Sequence, residues 1–234
     1  MSIYAIADLH LSTKTADKSM EVFGKRWDGY MDRIERNWRH LVKENDTVII
    51  PGDISWALSL EDAADDLLLI DSLPGKKLIS RGNHDYWWAS LKKMKDFFCE
   101  KGITKIEPIQ NNAIKAEGKI ICASRGWFYD KGTAPQDIDY KKIVDREVIR
   151  IKLGIDEARK LGDEEILMFL HFPPALGDEA CPEIIDLLNK EGIKRVFYGH
   201  IHGKYDIPKT EERYGMKMTI VSADYLNFIP LLVR

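Results

Sequence analysis

The chain has 234 residues, a formal net charge of -3, 44% hydrophobic residues and 31% charged residues. That is an ordinary globular composition with enough length for a sizeable core, so it excludes a disordered chain, and the lack of a cationic excess argues against a nucleic-acid partner. Three scattered cysteines, Cys99, Cys122 and Cys181, with no C-x-x-C spacing, exclude a disulfide framework or a thiolate metal site and point to the cytoplasm.

Residues 2–7 (SIYAIA) read as a buried strand that ends at Asp8. The apolar start is too short for a membrane span and lacks the charged flank and cleavage site of a signal peptide. Residues 11–26 are polar and irregular, and residues 27–44 carry Trp27, Tyr30, Met31, Ile34, Trp38 and Leu41 on one helical stripe. Residues 46–50 (DTVII) are a second strand, leading to Pro51-Gly52-Asp53. A helix is expected from Ser59, as N-cap, to Leu73, stopped by Pro74-Gly75. Residues 76–80 (KKLIS) are a third strand before Arg81-Gly82-Asn83, and a helix over 89–100 stops at Gly102. Repeated strand–loop–helix units predict an α/β protein with parallel strands and donors at their C-terminal ends.

The second half changes character. Residues 112–116 and 119–123 read as a hairpin around Glu117-Gly118. A long loop from Arg125 to Asp139 precedes a charged helix over 140–160. Residues 165–170 form a strand delivering His171, a helix over 183–190 starts behind Pro182, and residues 195–198 form a strand delivering His200 and His202. Residues 217–222 and 227–233 are expected as closing strands. With no repeat and no linker, residues 1–234 are expected to form one domain with two sheets packed between helices.

Five of the six histidines fall in short motifs that follow these apolar runs: Asp8-Leu9-His10, Gly82-Asn83-His84-Asp85, His171 and Gly199-His200-Ile201-His202, with Gly52-Asp53 between them. The sixth, His40, lies on the first helix and is expected to be structural or at the surface. Taken singly, each motif is a polar turn or a core histidine. Together they deliver seven oxygen or nitrogen donors to strand ends, the pattern of a two-metal hydrolytic centre.

Read in order, D-x-H, GD, GNHD, H and GHxH resemble the calcineurin-like metallophosphoesterases, from Asp8 to His202. The resemblance implies a four-layer α/β/β/α sandwich of two mixed sheets flanked by helices. It implies that Asp8, His10 and His202 hold one divalent ion, that Asn83, His171 and His200 hold a second, and that Asp53 bridges both. Manganese is the expected metal, with Fe, Zn²⁺, Co²⁺ or Ni²⁺ as alternatives for such hard-to-borderline donors. The implied activity is hydrolysis of a phosphomonoester or phosphodiester by in-line attack of a hydroxide bridging the two metal ions. His84 would act on the leaving oxygen or the transition state, with Asp85 orienting it and raising its pKa. The alternatives are a non-catalytic interaction module on the same fold, or a nuclease.

The substrate is expected to be a small soluble phosphoester, with no membrane partner. The segment Arg125–Asp139 is the candidate lid: Gly126 and Gly132 could hinge it, and Trp127, Phe128 and Tyr129 could stack on a substrate ring or pack on the second sheet. Trp56, Trp87 and Trp88 follow metal motifs and are expected behind the pocket rather than in its wall. Lys14, Lys18, Lys25 and Arg26 are expected in a solvated loop, Arg81 in a structural ion pair, and Lys204 and Tyr205 at the rim. Related chains carry a small Asn-Pro-Gly-Ser-like turn after the GHxH strand; here Ser222-Ala223-Asp224-Tyr225 stands in its place.

Overall fold

Alternation along the first strands sets the layers. In the computed structural model, which describes residues 1–14, 18–127 and 139–234, Ile3, Ala5 and Ala7 turn one way and Ile6 the other, as the two-residue period of a strand requires. The strands are β1 (Ile3–Ala5), β2 (Thr47–Pro51), β3 (Lys76–Ser80), β4 (Ile106–Pro108), β5 (Ala113–Ala116), β6 (Lys119–Ser124), β7 (Ile166–Leu170), β8 (Ala175–Leu176), β9 (Glu179–Ala180), β10 (Arg195–Tyr198), β11 (Thr210–Arg213), β12 (Met216–Ile220) and β13 (Leu231–Leu232). The helices are α1 (Tyr30–Leu41), α2 (Ala64–Ser72), α3 (Leu91–Lys101), α4 (Tyr140–Leu161) and α5 (Pro182–Lys190).

Two large mixed sheets result. The first has the order β13-β1-β2-β3-β4, parallel except for β13. The second has the order β11-β12-β10-β7-β6-β5, parallel inside with antiparallel edges. Helices α1, α2 and α3 cover the outer face of the first sheet through Tyr30, Ile34, Trp38, Leu67, Ile70, Met94 and Phe98. Helices α4 and α5 cover the second through Ile151, Ile155, Ile184 and Leu188. Between the sheets, Ile49, Leu78, Leu167, Phe169 and Phe197 form a third apolar layer, with the Phe169 and Phe197 rings stacked 4.8 Å apart. Two sheets with helices on both outer faces make the expected α/β/β/α sandwich.

Local chemistry explains the element ends. Ser90 caps α3 by accepting from the Lys93 N–H, and Gly102 closes it in the left-handed region. Glu117 and Gly118 both have positive φ, as a two-residue hairpin turn that follows strand twist demands. Three expectations shift. The first helix starts at Tyr30, because Met20–Phe23 and Lys25–Trp27 form short 3-10 turns before it. Ser59 caps a turn through the Asp62 N–H, and α2 begins later, at Ala64. The second closing strand shrinks to Leu231–Leu232, because Asn227 and Phe228 adopt positive φ in a turn.

Candidate metal centre

Strands β1, β2 and β3 end at Asp8–His10, Asp53 and Asn83; β7 and β10 end at His171 and at His200–His202. All seven side chains therefore come from the C-terminal ends of parallel strands, four from the first sheet and three from the second. They form two groups. Ligand atoms of Asp8, His10 and His202 lie within 4.8 Å of one another, as do those of Asp53, His171 and His200. Asn83 joins the second group, its Oδ1 2.6 Å from His171 Nε2. Asp53 Oδ2 stands between the groups, 3.7 Å from His10 Nε2 and 3.4 Å from His171 Nε2.

The backbone is strained at this place. Asp8, His10, Asp53 and His200 all have positive φ, four of nine such non-glycine residues among those described. Each such residue costs about 1–3 kcal/mol, and the strain persists where surrounding structure holds it for a function. Close approach helps to hold it. A Cβ on Gly199 would lie 2.7 Å from Asp8 Oδ2, and one on Gly82 would overlap the Asp53 carboxylate and amide. Glycine at both positions lets the loop backbones pack onto the carboxylates, and His200 N donates to Asp8 Oδ2 at 2.8 Å.

The donor set fits cations. Asp8 Oδ1 is buried with no hydrogen-bond partner. Burial pushes the Asp8 carboxyl up to about 8 and raises that of Asp53 as well. Burial also drops His171 and His200 to about 3 and lowers His10, so these imidazoles are neutral lone-pair donors at pH 7. His202 Nδ1 lies 2.9 Å from Asp224 Oδ1, and His171 Nδ1 lies 3.2 Å from the Pro51 carbonyl oxygen. Those partners place the ring proton on Nδ1 and leave Nε2 for a ligand. His10 Nε2 and His202 Nε2 then face each other at 3.2 Å. Lone pairs that close need a cation or a proton between them. Burial opposes charge on His202, but the Asp224 hydrogen bond and the Asp8, Asp224 and Asp53 carboxylates outweigh it and hold its pKa at about 8.

His84 belongs to neither group. It is half-buried, with its ring 4.6 Å from Trp56 and 5.8 Å from His10. Its main-chain N–H donates to Asp53 Oδ1 at 2.8 Å. Asp85 does not orient it, contrary to expectation. The Asp85 carboxylate accepts from the main-chain N–H groups of Asp53, Ile54 and Gly82 at 2.8–2.9 Å and from the Trp87 indole at 3.1 Å. Its oxygens are saturated by the loops that carry Asp53 and Asn83, so it braces ligand-bearing backbone. Asp224 was missed by the sequence reading. It accepts from Gly203 N and Tyr205 OH as well as from His202.

A cleft of about 360 Å³ opens over the centre. Its floor is His10, Asp53, His84, His200 and His202; its wall is Met20, Phe23, Trp27, Trp56 and Tyr205. Trp56 thus lines the pocket, while Trp87 and Trp88 are buried in the first core. Trp127 packs on Phe172 at 5.0 Å and against the second core. Phe128, Tyr129, Gly132 and the rest of residues 128–138 lie outside the described residues, and the lid expectation with them. Lys14 pairs with Asp65, Lys25 and Lys204 are exposed, and Lys18 is half-buried. Arg26 donates to the Asp224 carbonyl with its guanidinium 4.5 Å from the Tyr205 ring. Arg81 is exposed, with no ion pair among the described residues, contrary to expectation. His40 is exposed. No helix among the described residues is long and apolar enough to cross a membrane.

Solved structures share the fold. The protein of unknown function AQ665 from Aquifex aeolicus aligns with a TM-score of 0.50 and 16% identity, over 99% of this chain and 95% of that one. TT1561 of Thermus thermophilus aligns with a TM-score of 0.59 and 10% identity, over 95% of this chain and 89% of that one. No curated protein sequence matches the chain. The family model described as Calcineurin-like phosphoesterase matches residues 1–204, a span that contains every residue of both ligand groups. The chain belongs to the calcineurin-like phosphoesterase family.

Proposed function

We propose that the protein is a metal-dependent phosphohydrolase that cleaves a phosphomonoester or phosphodiester. The observation that carries this reading is the convergence of seven donors, four on one sheet and three on the other, one of which, Asp8, has a buried carboxylate oxygen with no hydrogen-bond partner. In this reading Asp8, His10 and His202 hold one divalent ion, Asn83, His171 and His200 hold a second, and Asp53 lies between them. Two such ions supply Lewis-acid stabilisation of phosphoryl charge and acidify water. Donors of carboxylate, carbonyl and imidazole without thiolate admit Mn²⁺, Fe, Zn²⁺, Co²⁺ or Ni²⁺, and manganese is the working choice among them.

The chain's own groups do the remaining work. Asp224 and the Pro51 carbonyl accept from Nδ1 of His202 and His171 and so turn the Nε2 atoms toward the ion positions. Asp85 fixes the loops carrying Asp53 and Asn83. His84 faces the cleft without being needed by either ligand group. It is therefore the group available to protonate a leaving oxygen or to offset charge on the phosphoryl group.

The test is turnover of p-nitrophenyl phosphate and bis-p-nitrophenyl phosphate with Mn²⁺, Ni²⁺, Co²⁺, Zn²⁺ or Mg²⁺, beside the metal content of the protein. His84→Ala is expected to lower kcat by about 100- to 10,000-fold and to leave two ions bound. The monoester-to-diester ratio then narrows the substrate class. Two bound ions with no turnover on any ester would favour a binding module, and no bound metal would overturn the reading.

A further inference from the structure

The wall of the metal cleft is chemically one-sided. Among the described residues lining it, Met20 is the single aliphatic side chain, while Phe23, Trp27, Trp56 and Tyr205 all present rings. Phe23 is the unusual member. It is 69% exposed and, among the described residues, makes no ring contact, whereas Trp27 packs edge-on against Tyr30, Phe228 and His202.

Fraying does not explain that exposure. The turn carrying Phe23 is anchored at both ends, by buried Met20 and by buried Trp27. The Ser19 side chain caps it, the Glu21 carboxylate accepts from Gly29 N at 2.9 Å, and Arg26 holds the Asp224 carbonyl at 2.8 Å. A rigid support thus presents an apolar ring to solvent at the mouth of a polar site. Trp56, in the same lining, is fixed by stacking on His10, 4.8 Å between centroids and 23° between planes.

We propose that the cleft selects phosphoesters whose organic part is a flat aromatic ring, such as an aryl group or a nucleobase, seated against Phe23 and Trp56. The proposal rests on the phosphohydrolase reading and makes Phe23 its specificity-determining residue. Ring walls recognise rings by offset stacking or edge-to-face contact, a gain beyond the apolar area they bury. The cleft's 360 Å³ lies at the lower end of small-molecule sites, so it suits a compact ester rather than a folded protein surface.

The test measures binding without turnover. Calorimetry on the full chain loaded with Mn²⁺ compares phenylphosphonate, hexylphosphonate and methylphosphonate, which carry the anion on a ring, an apolar chain and a single methyl group. Phenylphosphonate is expected to bind about tenfold more tightly than methylphosphonate and more tightly than hexylphosphonate. Phe23→Ala, at an exposed position, should bring phenylphosphonate close to the methylphosphonate level while methylphosphonate itself is unchanged. Phe23→Trp should keep the preference, and so should Val22→Ala, which removes a neighbouring apolar side chain that is 76% exposed and outside the cleft lining. Equal binding of phenyl and methyl, a hexyl affinity matching phenyl, or a preference that survives Phe23→Ala would overturn the ring proposal while the hydrolase reading stood. Bound metal with no affinity for any phosphonate would overturn both.

Discussion

A single carboxylate, Asp224, shows how much rests on residues that donate nothing to an ion directly. It is fully buried, and its two oxygens serve His202, Gly203 and Tyr205. Asp224→Asn removes the charge that sets the His202 ring and leaves the shape in place. Metal affinity is expected to fall about 10- to 100-fold, as measured against a fluorescent chelator, because carboxylates behind ligating histidines set ring orientation and basicity. Folded content by circular dichroism should stay unchanged. The sequence did not reveal this partner: His202 and Asp224 are 22 positions apart, and a lone Asp in a Ser-Ala-Asp-Tyr turn carries no mark of a neighbour. The sequence reading erred in the other direction with Asp85. Adjacent to His84 in the chain, it points instead into the loops at 53–55 and at 82, because the unpaired main-chain N–H groups there need an acceptor.

At the scale of elements, legibility followed burial. Strands β2, β3, β7 and β10 stand out in the sequence, because each carries an uninterrupted apolar stretch (Val-Ile-Ile, Leu-Ile, Ile-Leu-Met-Phe-Leu and Val-Phe-Tyr) that is buried in the fold. Strand β4 (Ile-Glu-Pro) and strand β11 (Thr-Glu-Glu-Arg) were missed. Edge strands of this kind are short or polar, which protects an open edge and leaves no hydrophobic period to read. The junction of α2 and β3 carries a pH-dependent stability. The Lys77 side chain is fully buried in β3, and its Nζ donates to the carbonyls of Asp71 and Leu73 at the end of α2. Burial pulls its pKa from 10.5 to about 8. Below pH 8 both states carry the proton and the folded state bears the whole penalty. Between pH 8 and pH 10.5 the unfolded chain binds more protons than the fold, so stability rises with pH, and above that window it gains nothing more. The rise amounts to at most about 3 kcal/mol. Denaturant melts across this window are expected to show it in the wild type and not in Lys77→Met; identical slopes would count against it.

For the whole molecule, the decisive feature is that each ligand group draws on both sheets. Asp8 and His10 come from the first sheet and His202 from the second; Asp53 comes from the first, and His171 and His200 from the second. The sheets meet beside the centre, where Ala7 N donates to the Val221 carbonyl at 2.7 Å and Ala223 N donates to the Ala7 carbonyl at 2.9 Å. Metal affinity should therefore report on sheet-to-sheet packing. Phe197→Ala, which removes half of the ring stack between the sheets, is expected to cost about 3–5 kcal/mol and to weaken metal binding, though Phe197 lies in neither ligand group. Leu188→Ala, in the outer helix layer, is expected to cost about 2–5 kcal/mol and leave metal affinity alone. Equal metal affinities in the two variants would refute the coupling.

The layered α/β class, the strands buried on both faces and the seven side chains that the fold brings together were legible in the sequence. Those properties are local: strand periodicity, apolar runs, and short motifs at strand ends. The motif resemblance implied the two groups with Asp53 between them, whereas only the folded arrangement shows that Asp85 serves backbone while Asp224 serves His202. Tertiary structure also decided that Trp56 lines the cleft while Trp87 and Trp88 are buried. The physical reason is that contacts between the two sheets join residues as far apart in the chain as Ala7 and Val221, and which face of a loop meets which carboxylate depends on packing that no local pattern encodes.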